Sequence, residues 1–188
     1  MATPTKYTFS IANDVGGPVD ADFLVLDLPR DGITTPLLRI DTDGDVLDIW
    51  FEDVLSGAEE AALDAVIAEH GVEAAQKLRY VAIDQRTFEL IDAGYTFEGH
   101  QFSLSMAAQS TLLALDMTRN DPSLTYPIEF NTLYDDAEYM LDDATDVHNI
   151  FLTALGTYRY HRDAGTALKT AVRNCTTVAA VNAVVDDR

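Results

Sequence analysis

The chain has 188 residues, 47% of them hydrophobic, and carries 12 Lys+Arg against 32 Asp+Glu, a net charge of −20. That length and apolar content suit one or two small domains with a packed core. The charge argues against nucleic acid and anionic membranes as partners, because both demand a basic face, and no run of about 18 apolar residues offers a membrane span.

Within the acids Asp far outnumbers Glu, and lysine occurs only at Lys6, Lys77 and Lys169. Such a surface repels itself at low salt and is screened at high salt. The composition resembles that of proteins from halophilic organisms or their viruses; an ordinary acidic surface is the other reading. "MATPTKYTFSIAND" has no basic region followed by an apolar stretch, so no secretory signal is expected. Cys175 stands alone, which leaves no internal disulfide, and "NCT" at 174–176 has no signal peptide to make it a glycosylation acceptor.

In chain order, "KYTFSI" alternates polar and apolar residues and predicts a strand, and "ADFLVLDL" predicts a second. "NDVGGPVD" between them and "PRDG" after the second are turn-rich. "LLRID" and "VLDIWF" flank "TDGD", and Asp-Gly between two apolar runs predicts a hairpin. The same stretch places Asp41, Asp43, Asp45 and Glu52 at positions 1, 3, 5 and 12 of an EF-hand-like calcium loop. The sixth position, where the backbone needs Gly, is Val46, and "PRDGITTPLLRI" upstream cannot form the required helix. The hairpin is the better reading, and the calcium module is kept as an alternative of another class.

"LSGAEEAALDAVIAEHG" predicts a helix over about 57–70, with an apolar stripe at Ala58, Ala62, Leu63, Val66 and Ile67. Ser56 and Glu59 form a capping box, and Gly71 after His70 reads as its stop. "LRYVAIDQRTFELI" then predicts strands. "YTFEGHQFS" predicts a tight hairpin with Gly99 near its turn, and "SLSMAAQSTLLALDMTR" a helix. "PSLTYPIEFNTLYDDAEYML" predicts two strands about a turn at "LYDD". A long helix follows, with apolar positions at Val147, Ile150, Phe151, Ala154, Leu155, Tyr158 and Leu168, then a short one in "TTVAAVNAVV" capped by Thr176 or Thr177. No internal repeat or low-complexity tract is present.

Motifs for chemistry are missing. His70, His100, His148 and His161 form neither HxxxH nor HExxH, and no cysteine pair exists, so no zinc site is expected. His148 and His161 on one helix lie about 20 Å apart. "HRD" at 161–163 lacks the Gly-rich loop and "DFG" of a kinase, and neither GxSxG nor a phosphate loop occurs. The acid pairs Asp135/Asp136 and Asp142/Asp143 point apart and read as solvated. No catalytic, cofactor-binding or metal residue is assigned, no cofactor is expected, and the chain is not expected to be an enzyme.

Two stretches carry a resemblance. "LDIWFEDVLSGAEEAALDAVIAEHG" resembles a segment of tailed-phage structural proteins through Leu55, Ser56, Glu59, Leu63, Asp64 and the closing His70-Gly71. Over about 94–185 the chain is similar to a phage tail-associated domain of unknown function. Phe97, Gly99, Phe102, Ser103, Gln109, Tyr158, Ala167, Leu168, Lys169 and "TTVAAVNAV" carry that similarity. Phe130 stands where the family usually has Trp. The resemblance implies a virion component, made in the host cytoplasm, whose partners are other virion proteins and copies of itself, with no enzymatic residues to transfer.

Together these readings predict an α+β fold with a β-rich module over 1–93 and a mainly helical module over 94–188. The function expected is structural and tail-associated: a fibre, fibre adaptor or baseplate-peripheral subunit, oligomeric in the particle. A head, neck or capsid-decorating protein is the alternative.

Overall fold

In the computed structural model, which describes residues 4–133 and 138–188, hairpins form where turn chemistry is local. β2 (Leu37–Asp43) and β3 (Val46–Phe51) meet through Gly44-Asp45, with Gly44 at φ 60°. β1 (Thr5–Ser10) pairs with the other side of β3, giving an antiparallel sheet of order β1-β3-β2. Leu47, Ile49 and Phe51 alternate onto its buried face. β4 (Tyr95–Phe97) and β5 (His100–Phe102) turn through Glu98 and Gly99, both at positive φ, which suits a two-residue primed turn. β6 (Ile128–Asn131) pairs with β7 (Glu138–Leu141). The "LYDD" turn falls mostly on 134–137, outside the described residues, as do Asp135 and Asp136.

Helices outweigh strands, and the fold is α+β. Two segments expected as strands are helical. "ADFLVLDL" lies in α1 (Ala21–Arg30). Asp20 caps it by accepting from the Phe23 N–H at 3.1 Å, and burial falls on Leu24, Asp27 and Leu28, a 3.6-residue repeat. Val25 and Leu26 face outward, so packing on the other side overrides the strand propensity of Val25.

The larger correction is α2 (Gly57–Asp92), which begins at the expected capping box and continues through Gly71 and the whole of "LRYVAIDQRTFELI". Beyond Gly71 it buries Ala74 and Ala75 and then Ile83 and Thr87, an i, i+4 pair, with no strand-like alternation. Gly71 is there for proximity. A Cβ at 71 would lie 2.1 Å from the Val15 carbonyl oxygen and 2.9 Å from the Gly17 nitrogen. The glycine admits that backbone at the cost of about 1 kcal/mol of helix propensity.

The expected helices α3 (Met106–Thr118), α4 (Ala144–Arg173) and α5 (Val178–Ala183) are present, α5 with Thr177 as its cap. The contacts group the chain into two compact units, 1–81 with 169–188, and 82–168. The expected modules divided at 93/94; these units divide within α2 and α4. The first unit packs Val15, Leu24, Leu28, Leu63 and Ile67 against Leu47, Ile49 and Phe51 of the sheet. Within it, Gln76 Nε2 on α2 donates to the Val172 and Cys175 carbonyls at 3.3 and 2.9 Å. The second unit gathers Tyr95, Phe102, Leu104, Leu112, Leu141, Val147, Ile150 and Ala154. Phe102 is at its centre, with Tyr95, Phe130 and Tyr139 rings 5.5–5.9 Å away.

Candidate functional site

The acidic stretch 41–52 is a hairpin committed to its own fold. Asp45 accepts from the Ser10 hydroxyl at 2.7 Å and from the Ala12 N–H at 2.6 Å. Asp41 pairs with Arg39 at 2.9 Å, and its cross-strand neighbour Asp48 with Lys6 at 3.0 Å. Strands occupy the places where an EF-hand needs helices. Among the described residues, no group of three or more His, Cys, Asp or Glu is arranged to hold a metal ion.

The other residues singled out by sequence lie in separate places. Asp143 caps α4, accepting from the Thr145 and Asp146 N–H groups at 2.6 and 3.1 Å, and these bonds hold its carboxyl below the usual range. The neighbouring Asp142 donates its N–H to the Asp146 carboxylate at 3.0 Å, so this acid pair belongs to a helix start. His148 Nδ1 lies 2.8 Å from Asp116 Oδ1, and Arg119 binds the same oxygen at 2.9 Å. This triad ties the end of α3 to the first turns of α4. "HRD" is a surface stretch of α4, with Arg162 over the Tyr158 ring. His100 packs against the Tyr139 ring at a 58° tilt, with centroids 5.3 Å apart.

His70 differs from the rest. It is 1% exposed in the middle of α2, and its Nε2 accepts from the Asp20 N–H at 2.9 Å. Nε2 therefore carries no proton, and the neutral ring holds it on Nδ1, which is buried without a hydrogen-bond partner among the described residues. Burial pushes the imidazole pKa down; Asp20 and Asp27 oppose that shift, and Lys77 adds to it. Asp20 also binds Lys77 at 2.6 Å, which lowers its carboxyl. The arrangement anchors the start of α1.

An apolar groove lies in the second unit. α3 and α4 flank a groove of about 270 Å³, lined by Met106, Gln109, Ser110 and Leu113 on one wall and Phe151, Leu155 and Tyr158 on the other, with Leu112 and Ala154 also contributing. The predicted α4 stripe is thus divided. Val147, Ile150 and Ala154 are buried in the core, whereas Phe151 and Tyr158 are half-buried and Leu155 is 37% exposed. The α3 wall was not anticipated. Met106, Leu113 and Met117, 77%, 48% and 77% exposed, follow an i, i+7, i+11 spacing along one face. The readable signal was a helix apolar nearly all round, which implies burial on more than one side.

No family model, no curated protein and no solved structure matches the chain.

Proposed function

We propose that the chain is a non-enzymatic structural component of a tailed-virus virion, tail-associated as a fibre, fibre adaptor or baseplate-peripheral subunit, and that it acts by protein–protein assembly. The assembly part rests on one observation. The α3/α4 groove exposes an apolar surface whose Gln109 and Ser110 side chains are engaged with the Leu104 and Met106 carbonyls, and apolar surfaces of this kind mark interaction sites. The virion part rests on the resemblance carried by Leu55, Ser56, Glu59 and His70-Gly71, and by residues 94–185. In that second stretch the resemblance implies a hairpin, a Gln-bearing helix, a strand pair, a long helix and a short terminal helix, and the elements occur in that order. Gln109 on α3 donates to the Leu104 carbonyl at 2.6 Å and so fixes the start of the helix that forms one wall.

The test is to purify particles from infected cells and measure this chain by quantitative mass spectrometry, then locate it by imaging. A stoichiometric chain at the tail supports the proposal, a stoichiometric chain at the head or neck moves it there, and absence from washed particles overturns it.

A further inference from the structure

We infer that the occupant of the α3/α4 groove is the same surface of a second copy of this chain. The inference deepens the assembly reading above and rests on it, but not on the virion assignment. Charged residues make up 23% of the sequence, yet residues 99–115, the longest uncharged run in the chain, contain no Asp, Glu, Lys or Arg, and neither do residues 147–158. The two runs supply both walls of the groove. They are not simply core, because Met106, Leu113, Leu152 and Leu155 are each more than a third exposed.

Charge then selects the occupant. A basic partner is recognised by carboxylates at the rim, since complementary potentials steer and fix such contacts, and these two runs offer none. Two copies of a −20 chain repel one another. Their approach is least opposed where carboxylates are few, and on this surface the two runs carry none while Asp116, next to Met117, is paired with Arg119 at 2.9 Å. Shape agrees with a two-fold contact. Each copy presents a ridge, the Met106–Leu113–Met117 row of α3, beside a groove bounded by Phe151, Leu155 and Tyr158. In an isologous dimer the ridge of one copy fills the groove of the other, twice. Methionines on the ridge adapt readily to an irregular partner surface.

Sedimentation of the full chain at micromolar concentration, at low and at molar salt, tests this. A dimer is expected, tightening as salt screens the −20 charges; a contact with a basic partner weakens with salt. Leu113→Glu and Leu155→Glu each place two carboxylates in the symmetric contact and should raise the dimer Kd about tenfold or more, with the melting temperature of the monomer unchanged. Leu26→Glu, at a 69% exposed apolar residue of α1 in the other unit, should leave the dimer intact. A wild-type monomer at every salt overturns the inference, and so does a dimer indifferent to both groove variants. Particle composition separates this from the assembly reading. A monomeric chain that enters particles, while Leu113→Glu does not, sinks self-docking and leaves assembly standing.

Discussion

Gly71→Ala and Gly156→Ala are the same substitution inside long helices, and the structure gives them opposite signs. In a free helix interior, Ala is favoured over Gly by about 0.5–1 kcal/mol. Gly156 in α4 has nothing within 4 Å of where its Cβ would stand, so it should realise that gain. A Cβ at Gly71 meets the Val15 carbonyl oxygen at 2.1 Å, where ordinary contact begins at 3.4 Å. Both atoms that resist are backbone, so no rotamer relieves the overlap. Segment 15–17 must move away from α2, taking with it Val15, which is 3% exposed in the core. Overpacking of this kind costs about 1–3 kcal/mol, and here the upper end applies. After the propensity gain, the net loss is about 2–2.5 kcal/mol. For a chain of this size, that lowers Tm by about 4–10 °C, whereas Gly156→Ala should raise it by about 1–4 °C. Thermal denaturation followed by circular dichroism at one fixed salt concentration reads both. A Gly71→Ala protein that melts at or above wild type refutes the packing of 15–17 on α2.

Three further outcomes are expected. His70 has a folded pKa below its ordinary 6.5, so its contribution to stability is full above that pH and is lost as pH falls below it; Tm should drop on going from pH 7 to pH 5, and His70→Gln should flatten that slope, an unchanged slope counting against the buried neutral ring. Glu59 accepts from the N–H and hydroxyl of Ser56, Thr34 and Thr35 at 2.8–3.1 Å, which holds its carboxyl far below the usual range; its stabilisation is present above pH 4.5 and lost as pH falls, so Glu59→Gln should lower Tm at pH 7 and weaken the acid dependence, and equal melting of the two proteins would contradict the six-donor arrangement. The −20 charge predicts a marked rise in Tm between low and molar salt, and a flat profile would reject halophilic adaptation in favour of a merely acidic surface.

Elements specified by neighbours in sequence were legible. Asp43-Gly44, Glu98-Gly99, the Ser56/Glu59 box and Thr177 each define a turn or cap with groups no more than three residues apart. Elements decided by distant packing were not. "FLVL" in α1 and "YVAI" in α2 carry strand-forming side chains, and only the surface that Leu24, Leu28 and Ile83 pack against makes them helical. The candidate surface was half legible for the same reason. A 3.6-residue repeat showed that α4 buries a stripe, but not that the partner helix covers only the Val147–Ile150–Ala154 side of it. The exposed α3 row was legible only as a helix apolar nearly all round, and not as a row on one face, because Met and Leu read as core wherever they occur on a helix.

His70-Gly71 shows why one dimension misleads. In sequence the pair closes a helix, since a Gly after an apolar stripe is the commonest stop. In space the two residues form one receptor for the chain segment before α1. His70 accepts the Asp20 N–H, and Gly71 makes room for the carbonyl of Val15 and the nitrogen of Gly17. A Cβ at Gly17 would in turn lie 2.8 Å from the Gly71 carbonyl oxygen, so the contact is close from both sides. An acceptor imidazole and a missing side chain are both needed, because the segment brings an N–H to one residue and bare backbone to the next. The helix therefore runs on past its apparent stop. What looked like an end of local structure is the point where residues 15–20 are held, and the start of α1 is fixed by α2 together with its own Asp20 cap.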